Sequence, residues 1–438
     1  MRGPLLSWGR YPNIPQLAHS VQWPEELAPA RDKIFSETGE GALAFGMGRS
    51  YGDSCLAQSD QVIAMSGMGR MLAADWTRGV VKAQAGMTLD DLLRLALPAG
   101  WFLPVTPGTR FVTLGGAVAN DVHGKNHHVR GTFGCHVRRF ELVRSDEGLV
   151  ECSPQQRPEL FAATIGGLGM TGIVQSVEVQ LQRVSSSLID QRCIRFGNLD
   201  EFFAISAEHD SQHEYAVSWI DCLAVGDKLG RGHYIAADHA SEGGLELAAN
   251  AKLSVPFDPP VSLVNSLTLK PFNSLYYHRQ RVKEVCSRTS YAPFFYPLDS
   301  VQHWNRIYGR KGFQQYQCVV PHQDGRNLIR AIIDQIAHSG TGSFLAVLKQ
   351  FGDVESPGLL SFPMPGITLA LDFPHSDKNS SLFQRLDALV HEAGGRLYPA
   401  KDAHMSAAHF QQAYPAWQEV EARRDPQLLS RFWKRVTQ

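Results

Sequence analysis

The 438-residue chain holds no CxxC pair, almost no net charge, no internal repeat and no apolar run near the ~20 residues that a membrane-spanning helix needs. Each absence removes a class of protein. The seven cysteines, Cys55, Cys135, Cys152, Cys193, Cys222, Cys286 and Cys318, are odd in number and far apart. They suggest neither a zinc knuckle nor a disulfide framework, and reduced thiols of a cytosolic protein are expected. Lys+Arg 42 against Asp+Glu 43 leaves a formal charge of -1, so no global field gathers a polyanion, and nucleic acid is not an expected partner. The opening MRGPLLSWGRYPNIPQ has no continuous apolar core and does not read as a cleaved signal peptide. What is present is an ordinary soluble composition, 43% hydrophobic and 19% charged, at a length that calls for two domains. The 39 glycines are the departure, because they cluster.

Over residues 1–185 short strands alternate with glycine-rich turns. GALAFGMGRSYGD reads as an apolar strand entering a loop. GVVKAQAGMTLDDLLRLALPAG reads as a strand and then a helix, capped by Thr88 with Asp91 three residues on; Leu89, Leu92, Leu93, Leu95, Ala96 and Leu97 form its apolar face. The small residues of VTLGGAVAND suit a tightly packed helix, and GIVQSVEVQLQRV alternates as a half-buried strand. Over residues 186–397 glycine thins out. YAVSWIDCL, FQQYQCVV, GSFLAVLKQFG and GITLALDF read as strands, GRNLIRAIIDQIAHSG and SLFQRLDALVHEAGG as helices. The pattern predicts an α+β substrate-binding domain, an antiparallel sheet covered by helices on one side. Within it, residues 252–280 are proline-rich yet apolar, which suits a mobile loop or lipid-facing lid. Residues 398–438 are helical and polar, and are expected to return to the first domain.

One stretch, GLGMTG from Gly167 to Gly172, matches G-x-G-x-x-G formally. A Rossmann site needs a strand before the glycines and a helix after them; PELFAATIGG reads as helix and IVQSVEVQL as strand, so that site is rejected. The glycine stretches make better sense together: 46–53, 106–117, 123–134 and 166–172. Each offers backbone N–H groups with no side chain in the way, which a diphosphate requires when it lies along the main chain. Four such loops fit a long ligand, and a flavin dinucleotide could touch all of them; ordinary turns in a glycine-rich fold would also account for the spacing.

GMGRSYGD and TPGTRFVTLGGAVANDVHGKNHHVRGTFGCHV resemble the FAD-binding domain of the vanillyl-alcohol-oxidase/PCMH superfamily. The chain most resembles the decaprenylphosphoryl-β-D-ribose 2-oxidase family, a likeness that continues through FFYPLDSVQHWNRIYGRKGFQQYQCVVP, SFLAVLKQFG, LLSFPMPGITLALDFP and GGRLYPAKDAHM. The resemblance implies a two-domain α+β PCMH-type fold: FAD-binding domain 1–185, substrate domain 186–397, and a C-terminal segment 398–438 carrying active-site residues. It assigns the FAD diphosphate to Gly48, Arg49, Ser50, Tyr51, Gly52 and Asp53, with Pro107, Gly108, Thr109, Gly115 and Gly116 completing the cradle. His123, Gly124, Lys125 and Asn126 would lie beside the isoalloxazine, and Gly169, Thr171, Gly172 and Ile173 along the cofactor. Trp219, Tyr296, Gln315, Gln317, Lys349, Tyr398 and Lys401 would line the sugar pocket. Members with covalent flavin place a histidine near the first loop, as in RHS; here the stretch is GRS, with Arg49, so FAD is expected without a covalent link. Mycobacterial members carry a cysteine in the strand after SFPxPG; here that position is Ala370, so chemistry requiring a thiol there is expected to be absent.

The histidine loop NDVHGKNHHVRGTFG invites a metal reading, with His123 and His127 four apart. Gly124 and Gly131 oppose a regular helix, no glutamate stands as H-E-x-x-H requires, and no metal is expected. The basic residues suit a reduced flavin and a phosphate-bearing substrate. For His127 and His128, satisfying loop carbonyls is an equal alternative. Oxidising a secondary alcohol calls for a base near the hydroxyl, and Lys401, Tyr398, Lys125 and His123 are the candidates. A lysine serves only if burial or neighbouring cations depress its pKa, and Asp402 beside Lys401 also fits an ordinary surface ion pair.

The resemblance implies FAD-dependent oxidation of the 2-hydroxyl of a polyprenylphosphoryl pentose to the 2-keto sugar. That step is the first half of an epimerisation to the arabinose donor of a cell envelope. It implies a lipid-linked sugar substrate, a separate NAD(P)H-dependent reductase, and a cytoplasmic location peripheral to the inner membrane face. An aldonolactone or alditol oxidase on the same scaffold is the nearest alternative. A zinc hydrolase using the histidine loop and a non-catalytic flavoprotein are rivals of other classes.

Overall fold

The computed structural model describes residues 4–249, 251 and 253–438; the first three residues of the N-terminal stretch, and Lys252 at the edge of the proline-rich region, lie outside the described residues. In the N-terminal part, Leu17–Ser20, Gln61–Ala64 and Leu43–Phe45 form a parallel three-stranded sheet. Met71–Asp75, Val80–Gln84, Ile173–Gln180, Val137–Arg144 and Gly148–Cys152 form an antiparallel five-stranded one. The helix Leu89–Ala96 begins at Thr88 with a complete capping box: Thr88 Oγ1 accepts from Asp91 N at 3.1 Å, and Asp91 Oδ2 from Thr88 N at 3.3 Å. Leu89, Leu92, Leu93 and Ala96 are buried, but Leu95 is 47% exposed and drops out of the expected apolar face. Thr113 caps the short helix Leu114–Ala119 by accepting from Gly116 N at 3.1 Å.

The larger sheet is antiparallel throughout, eight strands in the order Glu284–Ser290, Leu188–Phe196, Gly232–His239, Tyr215–Ile220, Ala346–Phe351, Gly366–Pro374, Phe313–Pro321 and Arg396–Leu397. On one face lie the helices Leu199–His209, Gly325–Ser339 and Asp377–Glu392. Their Ile329, Ile332, Ile333, Leu382, Phe383 and Leu386 pack on Tyr316, Cys318, Leu369 and Leu371. Each such side chain contributes roughly 1.5–3 kcal/mol by leaving water. Alternation then turns Gln315, Gln317, Lys349, Thr368 and Ala370 to the opposite face, toward the N-terminal part. This is the α+β arrangement the sequence predicts. Leu188–Phe196, Gly232–His239 and Glu284–Ser290 escaped the sequence reading; the last is an edge strand, EVCSRTS, mostly exposed, without the apolar alternation that marks a half-buried strand.

Residues 253–280 hold more regular structure than a loop. They contain the helix Ser266–His278, capped by Asn265, whose Oδ1 accepts from Leu267 N at 3.0 Å. Pro271 inside it hid the helix, since proline argues against helix interiors. Of the C-terminal helices, Trp417–Glu421 meets Pro158–Thr164 and Arg431–Thr437 meets Asp53–Cys55, while Ala407–Ala413 packs on Arg431–Thr437 and Arg396–Leu397. Ala42 N donates to Gln427 O at 2.9 Å and Leu429 N to Ala42 O at 3.0 Å. Arg435 joins Asp53 at 2.8 Å and Asp402 at 2.9 Å, bringing the first glycine loop against the turn that carries Lys401.

Candidate active site

Between the glycine loops and the open face of the large sheet lies a cavity of about 330 Å³. Of the residues nominated from sequence, Gly48, Arg49, Ser50, Tyr51, Pro107, Gly108, Thr109, Gly115, Gly116, His123, Gly124, Lys125, Gly169 and Gly172 line it from the loops. Gln315, Gln317, Lys349, Tyr398 and Lys401 line it from the opposite wall. Register places these groups: on one cross-strand row, Val347 faces Ala370 and Ala370 faces Gln317, while Lys349 faces Thr368 on the next. Ala370 is thus a cavity residue.

The histidine loop is pinned to this sheet. Lys349 Nζ donates to Gly124 O at 2.7 Å, Ala216 N to Lys125 O at 2.9 Å, and Lys125 Nζ to Phe295 O at 3.1 Å. Burial, reinforced by Lys125, brings the Lys349 ammonium down to about 7, and burial alone brings Lys125 to about 8. Burial, with Lys349, His127 and Lys401 nearby, holds His123 well below its ordinary value, so it is neutral at physiological pH. Gln317 Nε2 donates to His123 Nε2 at 3.1 Å, which leaves the proton on Nδ1, a buried donor without a protein acceptor. His123 and His127 pack against Phe351, with centroids 5.0 and 4.5 Å away, and His128 Nε2 bonds His213 O at 3.1 Å. Among the described residues no three His, Cys, Asp or Glu side chains are grouped to hold a metal ion.

Lys401 does not pair with Asp402, which is taken by Arg435 and His404. Its Nζ lies 3.6 Å from the centroid of the Tyr51 ring, and among the described residues it has no hydrogen-bond or ion-pair partner. Burial pushes the Lys401 ammonium down, and Asp372 opposes the shift. Tyr398 is a poorer base or acid than the sequence suggests: its hydroxyl donates to Asn120 O at 3.0 Å, and burial raises its pKa further.

Seven nominated residues do not line the cavity. Gly52 is pressed on the Lys401 turn, where a Cβ would fall 1.6 Å from Asp402 O; it permits backbone to meet backbone. Asp53 is held by Arg435. Asn126 Nδ2 donates to Pro104 O at 2.8 Å, Thr171 Oγ1 bonds Thr164 Oγ1 at 2.8 Å, and Ile173 is fully buried core. The Tyr296 hydroxyl meets Thr106 Oγ1 at 2.8 Å. Trp219 sits across from Val347, its indole N–H donates to Phe344 O at 2.8 Å and its ring packs on Tyr276. Sequence reasoning missed Trp8, whose ring lies 3.9 Å from the Arg49 guanidinium carbon, and Asp299, which accepts from Thr109 Oγ1 at 2.7 Å and Arg110 N at 2.9 Å. Asp299 stood in the quoted stretch FFYPLDS, but Tyr296 drew the assignment; Trp8 carried no local signal.

The donor set fits FAD. Gly48, at φ +60°, shapes the first loop, and among the described residues no protein acceptor takes the amides of Met47, Gly48, Arg49 or Ser50. Arg49 Nε is buried without a partner in the same wall, and a Cβ on Gly108 would meet nothing within 4 Å. Backbone and guanidinium donors at one end, and the His123 Nδ1 proton at the other, are what a diphosphate and an isoalloxazine edge require.

Known proteins agree. A family model described as an FAD binding domain matches residues 32–153. A decaprenylphosphoryl-β-D-ribose oxidase of Mycolicibacterium smegmatis is 35% identical over 96% of this chain and 94% of its own length. An uncharacterized Streptomyces coelicolor protein from the mprA 5′ region is 35% identical over 78% of this chain and 96% of its own length. A Δ(24)-sterol reductase of Macaca fascicularis is 26% identical over 33% of this chain and 28% of its own length. The chain belongs to the decaprenylphosphoryl-β-D-ribose oxidase family and is an FAD-dependent oxidoreductase.

Proposed function

We propose that the enzyme oxidises the 2-hydroxyl of a polyprenylphosphoryl ribose to the 2-keto sugar, and that a separate NAD(P)H-dependent reductase completes the epimerisation to an arabinose donor for a cell envelope. The observation that carries this reading is the two-walled cavity: uncommitted backbone donors and Arg49 on one side, Gln315, Gln317, Lys349 and Lys401 on the other. FAD bound along the glycine loops, without a covalent link because Arg49 stands where other members place histidine, supplies a hydride acceptor for the carbinol carbon. The chain's own residues orient the sugar and move the hydroxyl proton. Gln315 and Gln317 offer amides to ring hydroxyls. Lys349 and Lys125 keep positive charge near the site, and the uncommitted Lys401 amine reaches the reacting hydroxyl as orienting group or base. Anaerobic mixing with prenylphosphoryl-ribose is expected to bleach the flavin absorbance in one turnover, and denaturation is expected to release all the yellow colour into the supernatant. A chromophore that stays yellow with this sugar and bleaches with free alditols would replace the lipid-linked substrate by a soluble one.

The route for the lipid is the segment around the Ser266–His278 helix. Leu267 is 84% and Leu275 73% exposed, and residues 259–283 contain four Lys or Arg but no Asp or Glu. The inner side of the segment, Val264 and Leu269, packs with Tyr51 and Trp304 of the cavity wall. An apolar ridge flanked by cations suits the surface of an anionic membrane, although no helix among the described residues is long and apolar enough to cross one. Leu267→Ser with Leu275→Ser is expected to cut flotation with phosphatidylglycerol vesicles roughly tenfold or more, from two leucines' lost burial, and to leave flavin content unchanged. Unaltered flotation would remove the membrane role from this helix.

A further inference from the structure

Away from the flavin cavity, where the strands Leu188–Phe196 and Gly232–His239 meet the end of the Ser266–His278 helix, lies a second cavity of about 370 Å³. Its walls include Arg195, Asp227, Lys228, Arg231, Tyr277 and His278, none of which lines the flavin cavity. The cations differ in what they have left to give. Arg231 is spent on the buried Asp221, through Nε at 3.1 Å and Nη2 at 2.9 Å. Arg195 gives Nη1 to Gln280 O at 2.8 Å and has no acidic partner among the described residues. Among those residues the Lys228 ammonium has no ion-pair partner, and the Tyr277 hydroxyl has no hydrogen bond. With Arg231 balanced by Asp221, Arg195 and Lys228 against the exposed Asp227 leave the cavity net positive. Carbonyls at the end of a helix repel an anion. Here they are already occupied, Tyr277 O by His233 Nε2 at 3.1 Å and Gln280 O by Arg195.

The helix supplies an apolar approach to this cavity. Leu267, Pro271, Leu275 and His278 are exposed and follow one another at intervals of four, four and three residues, so they share one face. The ridge assigned above to the membrane therefore runs through His278 into the cavity. We propose that the cavity takes the phosphodiester of an anionic phospholipid, whose acyl chains follow the Leu267–Leu275 ridge back into the bilayer. The inference rests on the membrane reading of that helix and adds a specific headgroup site to it. Arg195, Lys228 and the Tyr277 hydroxyl supply donors to the unesterified phosphate oxygens, and charge-assisted bonds of this kind are the strong ones. The enzyme is thereby held with its lipid-facing segment against the surface that carries its substrate.

The test uses the full-length, flavin-loaded enzyme and flotation with phosphatidylcholine vesicles that contain phosphatidylglycerol. Arg195→Gln with Lys228→Gln is expected to weaken binding roughly tenfold or more. Lys270→Gln with Arg281→Gln removes the same charge from exposed positions outside the cavity, and is expected to cost several-fold less. Equal losses in the two pairs would make the attraction diffuse and overturn the site. Lys228→Gln alone, on an exposed side chain, carries the comparison against Lys270→Gln alone where the Arg195 pair unfolds. A calorimetric titration separates the two sources of phosphate. Dihexanoyl phosphatidylglycerol, soluble as a monomer, is expected to bind saturably and to lose that binding in the Arg195 and Lys228 variant. Inorganic phosphate that binds as tightly would overturn the lipid assignment. Unaltered flotation of Leu267→Ser with Leu275→Ser would sink the membrane reading, and this inference with it. Flotation lost in that variant but kept in the Arg195 and Lys228 variant would sink the headgroup site alone.

Discussion

Replacing Lys401 by alanine lowers the anaerobic rate of flavin bleaching about 10²–10⁴-fold, the usual worth of a positioned proton acceptor, while the protein stays yellow. The first half of that expectation comes from the uncommitted Nζ. Lys349 and Lys125 spend a donor on Gly124 O and Phe295 O, and the Tyr398 hydroxyl is spent on Asn120 O. Among the four nominated catalytic groups, His123 has its acceptor nitrogen Nε2 taken by Gln317 and its proton on Nδ1, and Lys401 alone combines a free amine with a pKa brought down by burial. The second half comes from where flavin is held. The glycine loops supply their donors from the main chain and from Arg49, and Lys401 touches that wall only through the Tyr51 ring, a contact worth roughly 1 kcal/mol. Lys349→Ala makes the contrast, since it breaks the tie between histidine loop and sheet and should cost flavin occupancy along with rate. Equal loss of flavin and rate in Lys401→Ala would mean that the lysine holds the fold and not the hydroxyl.

The fold class was legible because its signals are local. The Thr88–Asp91 capping box, the alternation from Val177 to Leu181 and the amphipathic Gly325–Ser339 helix each lie within one short window. The glycine loops were legible for the same reason, and most of them reach the cavity. What local signals could not tell was register. Asp372 faces Gln315 across a ladder from 57 residues away, and the Trp219 indole finds its acceptor in Phe344 O, 125 residues on. Gly52 and Asp53 belong to a loop that does reach the cavity, yet they turn to the Lys401 segment; the feature that captures Asp53, Arg435, is 382 residues on in sequence. No spacing rule links such positions, and only the packed chain brings them together.

That long-range tie carries the other large expected effect. Arg435 donates from Nε to Asp53 Oδ2 at 2.9 Å and from Nη2 to Asp53 Oδ1 at 2.8 Å, and Nη2 also reaches Asp402 Oδ2 at 2.9 Å. Arg435→Leu leaves two buried carboxylates facing each other, and breaking a pair of this kind costs about 3 kcal/mol, felt as a lower midpoint of thermal unfolding. Because Asp53 follows the Arg49–Tyr51 wall and Asp402 follows Lys401, flavin should also dissociate more readily. The charge account has a pH signature. Burial works to raise the Asp402 carboxyl, but His404 and Arg435 outweigh it and hold it below the ordinary value; Asp53 is raised, burial winning over Arg435. The depressed Asp402 thus contributes stability that is present above the unfolded value of ~3.9 and lost as pH falls through the folded one. Without Arg435 the Asp53 carboxyl, already raised by burial, rises further and takes up a proton on folding, while Asp402 keeps His404, so lowering the pH relieves the variant first. The gap between variant and parent midpoints should be widest near neutrality and narrow toward about pH 4. A gap that stays constant over that range would assign the loss to packing of the Arg435 stem, and the buried carboxylates would have no part in it.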